Sequence, residues 1–481
     1  NGTVAKWDNV TSSINLSSIK TPDYCTIDFT DGYTVTLTAT NGTVNPSNVS
    51  VGYNGSAKFT VTPNTGFKAE LETNTCGGTL SGNTYIISNI TSNKKCTITF
   101  KPNSPTLLSQ ILKDNPTRST RSNNNNGTND FATPLTTTTT GTLFTSTESI
   151  TGITDSPKEI YYYAGNTTNN WVKFGILASD GPIRGYDSAN STQFKEYTTL
   201  DECNSASSYN TNCSYAWRKG DPMYWRIIRT NHDGSIRLLY AGANPDTTAG
   251  NIGTIAFNKN DNSPKYVGYK YGEDTSLDTI RNNTTDSTIK TYVDNWYKNN
   301  LTAYTKYLSK DAVYCNDRNL ASGQTYSTTK AFDYATYPRI ENEQPTYNCT
   351  NMSDAFSVNN TSAKLDYPVG LMSIDELSYA GGEAGTALDA PYAWYYTNAN
   401  GESSYASATF WSLSPSGWFS SGSYVWFVLG SGSPGILGEG GIFYSLAVRP
   451  SVSLLSCNLI SRGNGSPENP YEIYIGNGVC E

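Results

Sequence analysis

The pattern of apolar and polar residues changes along the chain. From Tyr33 to Leu71 the sequence "YTVTLTATNGTVNPSNVSVGYNGSAKFTVTPNTGFKAEL" alternates apolar and polar positions, and Asn-Gly and Pro-Asn pairs interrupt the alternation. A period of two is typical of half-buried strands, and these pairs are typical of hairpin turns. The pattern therefore predicts a small all-β module over residues 31–103.

An internal repeat precedes this module. The stretch "SSIKTPDYCTIDF" (Ser17–Phe29) has the same order of residue types as "SNITSNKKCTITF" (Ser88–Phe100): an isoleucine, a polar turn and Cys-Thr-Ile-x-Phe. We therefore expect residues 1–30 to be a partial copy of the same β-repeat.

Residues 104–150 are rich in Asn, Thr and Ser, with "RSTRSNNNNGTND" and "TTTTTGTL" at the centre. A segment with so few apolar residues has little to bury, so the composition predicts a linker or a loosely held strand.

The remainder, 151–481, mixes short β-branched and aromatic runs with a few helical patterns. "YWRIIRTNHDGSIRLLYAG" predicts two strands around an Asn-His-Asp-Gly turn. Helical spacing of Ile289, Val293 and Trp296 predicts one helix, and the capping-box pair Ser373 and Glu376 predicts the start of another. The predicted fold class is multidomain, with an all-β N-terminal repeat region followed by an α+β domain.

Composition and charge exclude some classes of function for this protein. The chain has 481 residues, a net charge of -8 and 35 tyrosines, 15 phenylalanines and 9 tryptophans. The acidic balance argues against a nucleic-acid partner, and no apolar run is long enough for a membrane span. The start, "NGTVAKWDNV", lacks the features of a signal peptide, so we expect a mature or trimmed ectodomain.

The nine cysteines never form a CxxC motif. Pairing of neighbours along the chain would close four short loops, which indicates an oxidising compartment and a secreted or bacterial cell-surface protein. Cys25 is then left over, and the six cysteines of the second domain still allow fifteen arrangements. The predicted disulfide cysteines are Cys76, Cys96, Cys203, Cys213, Cys315, Cys349, Cys457 and Cys480.

Residues for catalysis or metal binding do not form a recognisable set. The single histidine, His232, lies in the turn "TNHDGS", where a solvated side chain is expected. GxSxG, HExxH and EF-hand spacings are missing, and Asp375 with Glu376 fits helix capping better than acid–base chemistry. Calcium binding by Asp233 or Glu439 stays open without supporting spacing. We therefore predict no catalytic residue, no metal and no cofactor.

Two family resemblances add to this picture. Residues 31–103 resemble the divergent B-repeat modules of bacterial surface proteins. That resemblance implies that Cys25 once paired with a cysteine of an upstream repeat, and the alternative is a buried free thiol. Six motifs in order then resemble the C-type-lectin-like domain, related in fold to the formylglycine-generating enzyme, of secreted proteins of gut Firmicutes: "DPMYWRIIRTNHDGSIRLLYAG", "YCNDRNL", "LDYPVGLMSIDELSYAGG", "FWSLSP", "AVRPSVSL" and "GNGSPENPYEI".

Within that family, residues 412–454 resemble the variable region of proteins diversified by retroelements. The resemblance implies a fixed framework of Trp411, Leu413, Pro415, Val425, Trp426, Val428, Leu437, Ile442, Val448, Arg449 and Pro450. It implies a ligand-facing surface of Trp418, Phe419, Ser420, Ser421, Tyr424, Phe427, Leu429, Ser431, Ile436, Gly438, Gly440, Phe443, Tyr444 and Leu446.

The residues themselves permit such a surface, because aromatic rings mixed with Ser and Gly are typical of antibody-like binding sites. The alternative is that the rings fill a core. Val425 and Trp426 are adjacent in a strand, so holding both in the framework needs a bulge, a bend or burial on both faces.

We therefore expect a secreted or surface-displayed binding protein, or adhesin, for an unknown protein or glycan ligand on another cell or on a phage. The alternatives are an enzyme of the formylglycine-generating-enzyme-like fold or a structural surface-layer component. The reactive cysteine pair of those enzymes has no counterpart here, so the resemblance carries the fold and not the activity.

Overall fold

The computed structural model describes residues 5–8, 13–16, 32–122, 129–132, 135, 143–188, 194–247, 250–401, 408–419, 422–430, 433–475 and 480. The chain divides into two compact units, Asn1–Lys101 and Pro102–Glu481.

The described elements of the first unit are strands. They are β1 (Ala5–Asp8), β2 (Ser13–Leu16), β3 (Tyr33–Thr40), β4 (Gly42–Asn45), β5 (Asn48–Val51), β6 (Gly55–Pro63), β7 (Phe67–Asn74), β8 (Thr79–Ser81), β9 (Thr84–Ile90) and β10 (Lys94–Pro102). Two four-stranded sheets have the orders β5-β3-β10-β7 and β4-β6-β9-β8, and β1 pairs with β2.

Alternating burial joins these two sheets into one core. In β6 the side chains of Ala57, Phe59 and Val61 are buried while their neighbours face outward. Gly42 lies against the ring of Phe100 from the other sheet, where an added Cβ would be 2.4 Å from the ring. The period of two in the sequence therefore corresponds to real strand faces.

The second unit contains many more strands. They are β11 (Ser119–Thr120), β12 (Leu143–Glu148), β13 (Lys158–Tyr163), β14 (Trp171–Ile176), β15 (Ile183–Tyr186), β16 (Phe194–Tyr197), β17 (Thr211–Tyr215), β18 (Pro222–Thr230), β19 (Ile236–Gly242), β20 (Thr254–Ile255), β21 (Lys270–Tyr271), β22 (Thr285–Asp286), β23 (Tyr314–Cys315), β24 (Phe332–Asp333), β25 (Ala355–Phe356), β26 (Val369–Gly370), β27 (Phe410–Trp418), β28 (Ser423–Val428), β29 (Leu437–Gly441), β30 (Leu446–Ala447), β31 (Ser451–Leu454), β32 (Ile460–Arg462) and β33 (Tyr471–Ile473).

Its α-helices are short. Those in the described residues are α1 (Leu107–Asp114), α2 (Leu200–Ser205), α3 (Leu277–Ile280), α4 (Thr288–Asn300), α5 (Thr336–Glu341) and α6 (Ile374–Tyr379), with 3-10 turns at Pro264–Val267, Thr302–Tyr307, Met352–Asp354, Thr361–Ala363 and Trp394–Tyr396. The two helices predicted from spacing and capping are α4 and α6, and α6 has the complete Ser373–Glu376 capping box.

Two sheets organise this unit. The larger has the order β11-β12-β13-β18-β14-β33-β32, and β19 joins β18 to β31. The predicted hairpin is confirmed, because β18 and β19 pair antiparallel around the turn at 231–235. The second sheet has the order β20-β30-β27-β28-β29, with β24 beside β27.

The predicted fold class is wrong. We expected an all-β repeat region followed by an α+β domain, but the described residues of the chain are mostly β, with 38% strand and 15% helix in several sheets. The physical reason is that the aromatic and β-branched runs pair into sheets, while most helical patterns last only one or two turns.

Part of the expected linker, 104–150, contributes structure to the second unit. Leu107 and Ile111 of α1 are buried, and β12 pairs antiparallel with β13 along six residues. In the middle of the segment, Phe131 and Leu135 pack into a core cluster with Tyr162 and Tyr379. Composition averaged over the segment concealed these few apolar residues.

Candidate ligand-binding surface

The framework side chains of the β27–β28–β29 sheet are inside the protein. β28 pairs antiparallel with both neighbours, so Val425 lies opposite Gly440 and Trp426 opposite Glu439. The eleven expected framework positions are all buried: Trp411, Leu413, Pro415, Val425, Trp426, Val428, Leu437, Ile442, Val448, Arg449 and Pro450.

Both faces of β28 are covered at its centre. Val425 is 0% exposed on one face, and Trp426 is 1% exposed on the other, where its ring stacks on Tyr337 with 5.9 Å between ring centroids. Of the three possibilities for these adjacent positions, the structure has burial on both faces.

An aromatic patch occupies the end of this sheet where β28 begins and β29 ends. We define the aromatic patch as Phe419, Tyr424, Phe443 and Tyr444. Phe419 packs edge-on against Tyr424, with centroids 4.7 Å apart, and Phe443 lies 4.3 Å from Tyr444. Phe443 and Tyr444 are 50% and 52% exposed, whereas the framework behind them is buried.

Glycines beneath the rings create room for the aromatic patch. A Cβ on Gly441 would lie 2.5 Å from Phe443 Cε1, and one on Gly417 would lie 3.1 Å from Phe419 Cε2. Tyr424 pairs with both of these glycines in the sheet. The rings therefore rest directly on backbone, which holds them in place.

Phe427 lies on the opposite face of the sheet. It alternates with Tyr424 along β28, and its ring contacts Trp411 with 6.0 Å between centroids. Added Cβ atoms on Gly438 and Gly440 would lie 3.0 Å and 2.6 Å from that ring. These two glycines therefore lie directly beneath the Phe427 ring.

The structure distributes the predicted ligand-facing residues over several environments. Phe443 and Tyr444 are exposed, Trp418 and Gly440 are buried, and the partly buried ones are Phe419, Tyr424, Phe427, Leu429, Ile436, Gly438 and Leu446. Trp418 pairs with Ser423 on one side and Phe332 on the other, so strands cover it. Ser420, Ser421 and Ser431 lie outside the described residues.

His232 is not solvated, in contrast to the expectation. Its side chain is 8% exposed, its Nδ1 lies 3.4 Å from Glu148 Oε2, and its backbone N–H donates to the same oxygen at 2.5 Å. Glu148 is distant in sequence, in β12, so a local turn pattern could not indicate this contact.

Buried ion pairs extend from Glu148 towards α6. Arg229 contacts Glu148 at 2.9 Å and Glu376 at 2.7 Å, and Arg237 contacts Glu376 at 2.7 Å. Burial acts to raise the pKa of Glu148, but the charge of Arg229 and the contacts with His232 lower it to about 2. The cavity beside these groups has about 20 Å³, which is enough for a single water molecule. These buried ion pairs are therefore suited to stabilising the fold.

The possible calcium ligands have other partners. Asp233 accepts hydrogen bonds from Ser235, in its own hairpin turn, and from Ser309, 76 residues further along the chain. Glu439 accepts from Ser416, and burial raises its pKa. Neither arrangement brings several carboxylates to one point.

Among the described residues, one cluster of three carboxylates is spaced closely enough to hold a metal ion. It consists of Asp286, Asp294 and Asp366. The ammonium of Lys290 contacts them at 3.1, 2.5 and 2.9 Å. A protein cation thus already lies among these three carboxylates.

Four disulfides connect cysteines that are neighbours along the chain. They are Cys76–Cys96, Cys203–Cys213, Cys315–Cys349 and Cys457–Cys480. This usage is consistent with an extracellular protein. Cys25 lies outside the described residues.

A polar groove beside the second sheet was not predicted from the sequence. It has about 410 Å³ and lies between β20, β22 and one face of α4. Thr291 and Asn295 contribute to it from positions four residues apart on α4, and this i, i+4 polar pair was the one local signal. The other contributors are too far apart in sequence to form a motif.

Among the described residues, no helix combines the length and apolar content needed to cross a bilayer. Comparisons of this chain with known protein families, with curated proteins and with solved structures give no match.

Proposed function

We propose that this chain is a secreted or surface-displayed bacterial binding protein whose second unit holds a protein ligand on the aromatic patch. The observation that carries the proposal is the exposure of Phe443 and Tyr444, at 50% and 52%, at the end of a sheet whose framework side chains are buried. Adjacent exposed rings cost free energy in water, and a partner that covers them recovers it.

The chemistry of the aromatic patch favours a protein partner. Tyrosine and phenylalanine supply large contact areas with few rotatable bonds, as in antibody-like sites and interface hot spots. At the rim, Gly422 lies near both Tyr424 and the carboxylate of Asp261. An apolar centre with one carboxylate at its edge fits a partner with an apolar pocket and a nearby Lys or Arg.

A cell-binding experiment tests this proposal. The fluorescently labelled chain is added to a panel of intact bacterial cells and phage particles, with and without prior protease treatment of the targets. We expect protease-sensitive binding that falls about tenfold or more in the F443A/Y444A double variant, because both exposed rings are removed.

The matched control is Tyr53→Ala, which removes an aromatic ring that is 71% exposed in the first unit. This variant should bind like the wild type. Binding that survives protease treatment, or that is equal in the double variant, would contradict the proposal. Ordered arrays of purified chain without any binding would instead favour a structural surface-layer role.

Diversification of residues 412–454 is a separate proposal that rests on the family resemblance. It predicts a near-copy of this coding segment in the same genome, beside a reverse transcriptase gene and differing only at adenines. If genomic sequencing finds no such copy, the proposal of diversification fails. The proposal of binding by a fixed surface would still stand.

A further inference from the structure

We infer that the polar groove beside α4 is a second binding site, which takes a neutral saccharide. The groove has about 410 Å³, within the usual range of about 300–1,000 Å³ for small-ligand sites. Its β20 wall pairs with β30, and the backbone N–H of Asn258 donates to the carbonyl of Ile442, next to Phe443. The groove therefore lies beside the aromatic patch and is distinct from it.

Alongside apolar surface, the groove is lined by amides and hydroxyls from Asn258, Asn260, Asn295, Thr288 and Thr291. These groups donate and accept hydrogen bonds without net charge, as the hydroxyl groups of a sugar require.

The charged groups at the groove do not favour an ionic ligand. One cation, Lys259, and one carboxylate, Asp286, contribute to the lining. Asp286 is already bound by Lys270 at 3.2 Å and by Lys290 at 3.1 Å. An acidic or a strongly basic ligand would therefore find no concentrated opposite charge here.

A buried amide in the wall lacks a partner for its donor group. Asn258 is 4% exposed, and its Oδ1 accepts from the Lys259 N–H at 3.0 Å and from Thr288 Oγ1 at 3.2 Å, which fixes the orientation of the amide. Its Nδ2 makes no hydrogen bond within the described part of the chain. An unsatisfied buried donor costs about 1–3 kcal/mol. Because Asn258 lies in the groove wall, a small movement of that wall on ligand binding would let a ligand hydroxyl or a bridging water accept from this donor.

Two tyrosine rings supply apolar surface in the same groove. Tyr292 is held in place because its hydroxyl donates to the Ile252 carbonyl at 2.9 Å. Tyr271 packs edge-on against Tyr266, with 5.2 Å between centroids. Both rings are partly exposed, so they can contact the C–H face of a pyranose while the amides bind its hydroxyls.

A glycan array tests the inference. The full chain is applied to immobilised neutral oligosaccharides ending in mannose, galactose, glucose or N-acetylglucosamine, and to sialylated and sulfated counterparts. We expect binding to at least one neutral class in preference to the charged ones. Asn295→Trp, which fills the groove from an exposed position on α4, should lower that signal about tenfold or more.

Asn299→Trp is the matched control, because it places the same ring on the same helix outside the groove lining and should bind normally. Tyr271→Ala is a second groove variant, and thermal unfolding of each variant checks its folding. F443A/Y444A should keep glycan binding even if it loses protein binding, so the two proposals can fail independently. Absence of glycan binding, preference for charged glycans, or equal binding by N295W would each overturn the inference.

Discussion

Buried charges in the second unit are stabilised by direct partners. Glu148 is 2% exposed, and Glu376 bridges Arg229 and Arg237. Burial acts to raise the pKa of Glu376, but the two arginines hold it below its ordinary value. Both carboxylates are therefore ionised at neutral pH, and each contributes stability only while it stays ionised.

This arrangement predicts a pH-dependent effect of Glu148→Gln. The pKa of Glu148 is about 2 in the folded chain and about 4.3 in an unfolded chain, so the ionised form stabilises the fold above the unfolded value. The variant should lose about 3 kcal/mol of unfolding free energy at pH 7. The loss should shrink as the pH falls from about 4.3 towards 2, as measured by urea unfolding at several pH values.

Glu70→Gln is the control for this measurement. Glu70 forms ion pairs with Lys68 and Lys101 at the surface of the first unit, with its side chain 49% exposed. The Glu70→Gln substitution should change the unfolding free energy little at any pH, because water screens exposed ion pairs. A loss at Glu148 that does not change with pH would show that the buried charge is not its cause.

The contact between Gly440 and Phe427 predicts a second residue effect. Gly440→Ala should destabilise the second unit by about 1–3 kcal/mol, because the new Cβ would lie 2.6 Å from the Phe427 ring. The same substitution in a Phe427→Ala background should cost much less, since the opposing ring is gone. Equal costs in both backgrounds, measured by denaturant unfolding, would disprove the contact.

At the scale of elements, local signals and long-range contacts meet in α6. The capping box of Ser373 and Glu376 starts the helix, as its sequence predicts. The same Glu376 carboxylate also binds Arg229 and Arg237 from the β18–β19 hairpin. The local pattern therefore identified the helix. Only the packed structure shows that ion pairs connect this helix to the large sheet.

The disulfides allow a prediction about the elements they connect. Cys315–Cys349 closes a loop with a sequence separation of 34, and Cys203–Cys213 one of 10. Chain entropy then gives a cost of about 4 kcal/mol for replacing the first pair by serines and about 3 kcal/mol for the second. Urea unfolding of both variants checks the order, and a larger loss from the shorter loop would contradict it.

At the scale of the molecule, the chain has two units with separate cores. The first is built from two sheets around Phe59, Val61 and Phe100, and the second extends from Pro102 to Glu481. Because each unit buries its own apolar residues, we expect each to unfold as its own cooperative transition.

A truncation tests that expectation. A chain of residues 102–481 should fold, with an unfolding midpoint within about 2 °C of the corresponding transition in the full chain. Calorimetry of both chains measures this, and residues 1–101 alone serve as the reciprocal control. A single transition in the full chain that disappears on truncation would show that the units depend on one another.

Sequence alone identified the features that depend on near neighbours. The strands of the first unit, the β18–β19 hairpin, α4 and the α6 cap follow from periods, turns and caps that act within a few residues. Each of these features is set by backbone preference or by the alternation of side chains along one element.

Tertiary structure decided everything that depends on distant contacts. It buried His232 against Glu148, placed Phe427 on the opposite face from Tyr424, and brought β20 and α4 together into a polar groove. It also gave the described chain its mostly β character, because strand pairing joins segments far apart in the chain. Such pairing depends on which surfaces meet after folding, and no local pattern of residues carries that information.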